Sequence, residues 1–204
     1  IFWKTEFEDL GTFGIYYNET YTNTPLSTAY NQKHIPGANG RGANCIATED
    51  AVYVVVASSC QVLDAKTGQL RRTIPLPPRP GQSEAPEWAY IGIYGNILLG
   101  GDGFALHSQK LSSTAKKHAS TIEDFSASDG LAAFDRHTGK LLWRVKARHS
   151  FLHNGIVAGN GRVYCLDKLP FSAEHKLKRR GASAPSDYRI AAFVERTGIL
   201  LWDD

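Results

Sequence analysis

The chain has no methionine among its 204 residues and only three cysteines, Cys45, Cys60 and Cys165. An odd number of cysteines without a CxxC pair argues against a disulfide framework and against a zinc site. The expected role is that of small buried apolar side chains, with pairing of Cys45 and Cys60 across neighbouring strands as the alternative. Long apolar runs are also missing. None approaches the roughly 18 residues that a helical membrane span needs, so no transmembrane segment is expected. No stretch carries a helical apolar period for more than two turns, with residues 173–180 as a weak exception. A strong charge imbalance is absent too. The formal net charge is +3, too small to imply a nucleic-acid partner. The basic run HKLKRR (His175 to Arg180) reads as a solvated loop. No signal peptide is visible. The chain opens on IFWKTEF and closes on LLWDD, and it is expected to be an interior piece of a longer protein.

What remains is ordinary globular material. Apolar residues make up 42 % and charged residues 21 %, enough for one domain with a core. The informative feature is a repeat. AAFDRHTGKLLW (Ala132 to Trp143) has counterparts in QVLDAKTGQLRR (Gln61 to Arg72) and AAFVERTGILLW (Ala191 to Trp202). Thr67, Thr138 and Thr197 align, followed by Gly68, Gly139 and Gly198. Leu70, Leu141 and Leu200 align as well. The last position holds Arg72, Trp143 and Trp202. Ile1 and Trp3 fit as the tail of a further copy. From Trp3 to Arg72, Trp143 and Trp202 the intervals are 69, 71 and 59 residues. Propeller repeats of about 40–50 residues are usual, so these carry insertions.

Each unit reads as a β-hairpin, with glycine supplying the positive φ of the turn. Upstream lie two more strand candidates per period. The nearer are AVYVVVA, GNILLGG and GRVYCLD. The farther are NCIAT, AYIGIY and NGIVAG. Four short antiparallel strands per period, here A to D, describe a β-propeller blade. The fold class expected is therefore all-β, a partial propeller of about three four-stranded antiparallel blades with long insertions on one face. The blades are placed at about residues 4–72, 73–143 and 144–202 of a single segment, 1–204. The Trp closing strand D is expected to fill the gap between blades, since only packing needs the same residue at the same phase of each repeat.

The pattern AxDxxTGxxLW resembles the tryptophan-docking motif of PQQ-like, quinoprotein-type propellers. Its structural positions here are Trp3, Asp64, Thr67, Gly68, Asp135, Thr138, Gly139, Trp143, Thr197, Gly198 and Trp202. Two positions depart from it: Val194 replaces the Asp, and Arg72 replaces the Trp. The resemblance implies a ring of seven or eight blades, so the expected partners are the remaining blades, from the same longer chain or from other chains. It also implies a bacterial protein of the periplasm or cell envelope. Such propellers occur as dehydrogenases and as non-catalytic scaffolds, among them the outer-membrane-protein assembly lipoprotein. They occur too in large envelope proteins, some fused to methyltransferase domains.

Strand direction alternates within a blade, so A–B and C–D turns share one end and the B–C and D–A connections share the other. The long segments fall on the second end: D–A at about 6–44, 73–88 and 144–154, and B–C at about 102–129 and 168–188. Function is expected there. Asn39, Arg41, Asn44, Trp88, Arg148, His149, His153 and Asn154 are the candidate ligand-binding residues, with His34, Glu84 and Glu87 nearby. The plainer account is that Asn, Gly and Pro shape turns and cap backbone groups. A metal role for His149 and His153 is not supported, because a His-x-x-x-His spacing has no meaning in a loop. GANGRGAN and GNGRVY lack the phosphate-loop pattern and the helix it requires. No catalytic or metal residue is assigned.

The leading reading is a non-catalytic binding or assembly scaffold within a larger bacterial protein, with no cofactor. The alternative is part of a quinoprotein alcohol or sugar dehydrogenase, which by resemblance would hold PQQ with Ca2+ through an adjacent cysteine pair, a stacking Trp and a set of carboxylates. No adjacent cysteines exist, and Asp102, Glu123, Asp124, Asp129 and Asp187 lack calcium-loop spacing. A third reading has Tyr16, Tyr17, Trp88 and Tyr90 stacking on sugars of an envelope polymer, against the plainer account that aromatics at strand starts are core.

Overall fold

A computed structural model describes residues 2–5, 45–108, 121–179 and 181–204. Twelve strands and one helix make up these residues. Strands β1 (Cys45–Ala47), β2 (Ala51–Val56), β3 (Ser59–Asp64) and β4 (Leu70–Pro75) form one antiparallel four-stranded sheet in chain order. This is blade one. The other strands form a second sheet. They are β5 (Trp88–Tyr94), β6 (Ile97–Asp102), β7 (Phe104–Ser108), β8 (Thr121–Asp135), β9 (Leu141–Gly159), β10 (Arg162–Lys168), β11 (Tyr188–Val194) and β12 (Leu200–Asp203). Their order is β12-β11-β10-β9-β8-β6-β5, with β7 paired to β8. Blade two is β5, β6, β8 and the start of β9. Blade three is the end of β9, then β10, β11 and β12.

One connection differs from expectation. Residues 144–154 form no loop. β9 is a single strand of 19 residues that crosses the expected boundary at 143–144. Its first part pairs with β8, Trp143 opposite Ala133 and Lys146 opposite Gly130. After an irregularity between Lys146 and Phe151, Phe151 and Leu152 still pair with β8, and Ile156 to Gly159 turn to β10. A bulge lets one strand bend and change partners while its backbone groups stay satisfied. The connection can remain extended because β8 is also long. Its first half pairs with β7 as a hairpin within the B–C insertion, Ser108 opposite Thr121. The basic run lies mostly on helix α1 (Phe171–Arg179) and not in a loop. Glu174 and Lys178, one turn apart, pair at 2.6 Å on it.

Blade two is covered on both faces, and every residue of β6 is buried. Period 2 splits its strands between two cores. Leu98, Ala132 and Phe134 join Tyr53, Val62, Ile74, Trp88 and Ile91 against blade one. Leu99, Leu131 and Ala133 join Trp143, Phe151, Val163, Ala191 and Phe193 against blade three. The cysteines follow this division. Cys60 lies in the first core and Cys165 in the second, while Cys45 is exposed. The role of buried apolar side chain therefore fails for Cys45. Its pairing with Cys60 fails as well, since β2 separates their strands and all three thiols are free.

Candidate ligand-binding face

The tight end of the arc is built from the repeated turns. The amide of Gly68, Gly139 and Gly198 donates to the carbonyl of Asp64, Asp135 and Val194 at 2.8 Å in each case. These glycines have φ of +71°, +76° and +66°, a region costly for residues with a Cβ. Asp64 Oδ1 accepts the amides of Lys66 and Thr67, and Asp135 Oδ1 those of His137 and Thr138. The Arg71 guanidinium and the Thr67 amide hold the Asp64 carboxyl far below the usual carboxylate range. The amide and hydroxyl of Thr138 lower that of Asp135.

Onto these turns the preceding strand D delivers its last large side chain. Trp143 Nε1 donates to Glu195 O at 2.6 Å, and the indole lies over Gly198, where a Cβ would stand 2.7 Å from the ring. Trp3 repeats the arrangement, donating to Ala65 O at 2.9 Å above Gly68. Over Gly139 the occupant is Ile74, with the Arg72 stem beside it. The glycine is thus needed twice, for its φ and for the ring above it.

The opposite end carries an open cavity of about 500 Å³. Its wall is the D–A loop 81–87 with Arg79, Gly103, Phe104 and Asp129. Glu84 and Glu87 border it and Trp88 does not. Behind it Asp102, buried at the end of β6, binds two arginines. Arg144 Nε and one Nη donate to its two oxygens at 2.6 and 2.7 Å. Arg79 donates to it from Nε at 3.3 Å and to Asp129 from Nη1 at 3.3 Å. Arg144 also donates to the carbonyls of Pro77 and Pro78, which ties the proline-rich start of the loop to blade two. A carboxylate closing an otherwise apolar buried strand requires such partners. That was the one sequence signal for this network, since Arg79 and Arg144 stand in no motif.

A second cluster belongs to blade three. Asp167 is fully buried and accepts the successive amides of Arg148, His149 and Ser150 at 2.7, 2.8 and 3.1 Å, with Arg189 Nε at 3.1 Å. It pins the bend of β9. His149 Nε2 lies 3.0 Å from Asp187, which Arg148 also pairs at 3.2 Å. His149, then Arg148, holds the Asp187 carboxyl below its ordinary value.

The candidate residues therefore separate. Arg148 and His149 meet at Asp187. His153 is buried, with Nε2 2.8 Å from Ser128 Oγ and its ring tilted against Tyr90 and Phe104. The two histidines thus have different partners. Asn154 is exposed on β9. Trp88 is buried and stacked on Phe134 at a ring separation of 5.1 Å, so it is core and not a sugar platform. Burial pushes the Tyr90 hydroxyl up to about 12. His34, Asn39, Arg41, Asn44, Tyr16 and Tyr17 lie outside the described residues.

The described residues do not fit a PQQ–calcium site. Cys60 and Cys165 sit in separate cores, where burial raises both thiols, that of Cys60 to about 12. Asp102 and Asp167 are consumed by arginines and amides. Among the described residues no three His, Cys, Asp or Glu side chains gather as a metal set, and no helix there is long and apolar enough to cross a membrane.

Three four-stranded antiparallel blades side by side, with turns that seat the side chain of the blade before, make the chain a partial, unclosed β-propeller. No family model and no curated protein matches the sequence. Among solved structures it is similar to the quinohemoprotein alcohol dehydrogenase ADHIIG of Pseudomonas putida HK5, at 16 % identity over 78 % of this chain and 19 % of that one, with a TM-score of 0.43. It is similar to the quinohemoprotein alcohol dehydrogenase of Comamonas testosteroni, at 14 % identity over 79 % and 27 %, TM-score 0.48. It is also similar to BamB of Moraxella catarrhalis, at 14 % identity over 84 % and 40 %, TM-score 0.41. The chain thus spans between 19 and 40 % of the length of these proteins. The likeness is one of fold.

Proposed function

We propose that the chain is a non-catalytic scaffold segment of a bacterial cell-envelope propeller, which binds or assembles partners through its elaborated end. The observation that carries this is the use of the polar groups there. Asp102 and Asp167 are buried and bonded to Arg79, Arg144 and Arg189 and to backbone amides. Charges held in this way spend their hydrogen-bonding capacity on fixing the loops. The loop 81–87 is left to form an open cavity of mixed polar and apolar lining, suited to surface recognition. The Trp seats support the tryptophan-docking reading of the repeat, and the remaining blades of the ring are the first partners on this reading.

The test is cofactor reconstitution. The protein is incubated with PQQ and Ca2+, desalted, and assayed by absorbance, mass spectrometry and dye-linked oxidation of alcohols and sugars. No retained quinone and no dye reduction are expected. Stoichiometric retention together with dye reduction would overturn the scaffold reading.

A further inference from the structure

The positive charge of the protein is concentrated in one insertion. Residues 168–180 hold Lys168, Lys176, Lys178, Arg179 and Arg180 against a single acid, Glu174, a net charge of +4 where the whole chain has +3. The rest of the chain therefore sums to −1. The fold gives this run a fixed place. Ala173 and Leu177, one turn apart on α1, pack with Leu169 and Ala184 in a small core of the insertion. The amides of Gly181 and Ala182 donate to the carbonyls of Lys178 and Leu177, and Gly181 takes a φ of +69°, which closes the helix end. With Ala173 and Leu177 turned inward, His175 and Arg179 lie on the opposite side of the helix and Lys178 lies beside them. All three are exposed.

Further groups stand at the base of the insertion. Tyr188 lies opposite Lys168 in the register of β10 and β11 and is 67 % exposed. Arg148, its side chain 62 % exposed, pairs with Asp187 next to it. The cavity at loop 81–87 is lined by no residue of α1. A cationic surface that projects outward without a pocket gives a small anion no enclosure. It matches an extended anionic surface. Arginine and lysine pair with phosphate, and an exposed tyrosine among them suits a headgroup layer, where its ring is apolar at one end and wet at the other. We propose that α1 and the base of its insertion dock the elaborated end of the protein on a membrane surface of anionic phospholipid. The contact is electrostatic and peripheral, since the apolar side of the helix is spent on the insertion's own core. The inference rests on the cell-envelope part of the function proposed above. Failure of the scaffold reading would appear as retained quinone, and failure of this one in the vesicle measurements below.

Vesicle flotation tests it. The protein is mixed with vesicles of phosphatidylcholine alone, or of phosphatidylcholine with phosphatidylglycerol, at low and at high salt. Binding is expected only where phosphatidylglycerol is present, and it should fall steeply with salt, because exposed charges are screened. Each basic residue near such a surface raises partitioning roughly five-fold, so Lys178→Gln with Arg179→Gln should weaken binding by on the order of 25-fold. Glutamine forms helix about as well as lysine and arginine, and an unchanged thermal midpoint identifies the variant as folded. Lys66→Gln with Lys140→Gln removes the same charge from exposed positions in the turns of the tight end and should leave binding unchanged. An equal loss in the two double variants would reduce the effect to net charge and overturn the proposal. No flotation at low salt would overturn it as well, as would equal binding to both kinds of vesicle. Retention on soluble polyglutamate without flotation would assign the surface to an acidic protein instead, and the membrane proposal would be lost.

Discussion

Blades two and three meet through the indole of the repeat position in strand D, and blades one and two meet without it. At the first junction Trp143 fills the gap, donates to Glu195 O and stacks with Phe193 at 6.4 Å. At the second the equivalent position is Arg72, and Ile74 lies over the glycine. The space is filled from elsewhere. Trp88 of β5 stacks on Phe134 in the core, an aromatic supplied by the innermost strand and not by the outermost. The tight end is clasped by Arg136, which donates to Asp50 Oδ1 at 2.9 Å, Tyr53 Oη at 3.0 Å and Gly95 O at 2.9 Å. The elaborated end is clasped by Arg144 and Arg79 on Asp102. A lost repeat residue thus leaves the blade packing intact when neighbouring positions supply the volume and the polar contacts.

The comparison can be broken most strongly at the indole. Trp143→Ala is expected to lower stability by about 3–5 kcal/mol, because a large buried ring leaves a cavity between rigid sheets. Arg72→Ala should cost less than about 1 kcal/mol, since its partly exposed stem covers only an edge of the turn. Urea denaturation at neutral pH checks both, and equal losses would contradict the contrast between the junctions.

A smaller effect is expected at the glycines. Gly198→Ala and Gly139→Ala each put a Cβ at positive φ, which costs about 1–3 kcal/mol. At Gly198 the new atom would also stand 2.7 Å from Trp143, while at Gly139 it meets the flexible tip of Ile74 at 3.1 Å. Gly198→Ala should therefore shift the thermal midpoint further down than Gly139→Ala. The reverse order would mean that the indole does not lie on the turn in solution.

The smallest effect tests the turn without its carboxylate. Val194→Asp is expected to stabilise by about 0.5–1.5 kcal/mol at neutral pH, by accepting amides that Asp64 and Asp135 accept in the other turns. The native hydrogen bonds hold such a carboxyl below its unfolded value, as for Asp135. Its contribution is then complete above the unfolded carboxylate pKa of about 4 and is lost as pH falls through the lower, folded value. Denaturation of both forms at pH 7 and pH 3 should show the gain shrinking with acid. A gain independent of pH would assign it to something other than the carboxylate.

Several particulars were legible before any coordinates. The Thr-Gly turns, the alternating apolar strands and the phase of Trp143 and Trp202 are local features, set by backbone sterics and by period 2. They yield four strands per blade at nearly the observed positions. The exposed state of Cys45 and the continuity of β9 were not legible, since each depends on which strand lies beside which. His153 reads like His149 along the chain. Only pairing of β9 with β8 puts it on Ser128, between Tyr90 and Phe104.

The amino-acid sequence by itself determined the repeating unit: a hairpin whose glycine must take positive φ and whose closing side chain must be buried by something. Tertiary structure alone decided what that something is. An indole donor, a bare glycine and a carbonyl come together only when two blades lie side by side, from residues as distant in the chain as Trp143 and Glu195. The same holds for Asp102 with Arg79 and Arg144, whose charges are tolerated in a nearly dry place because three separate segments bring them within hydrogen-bonding reach.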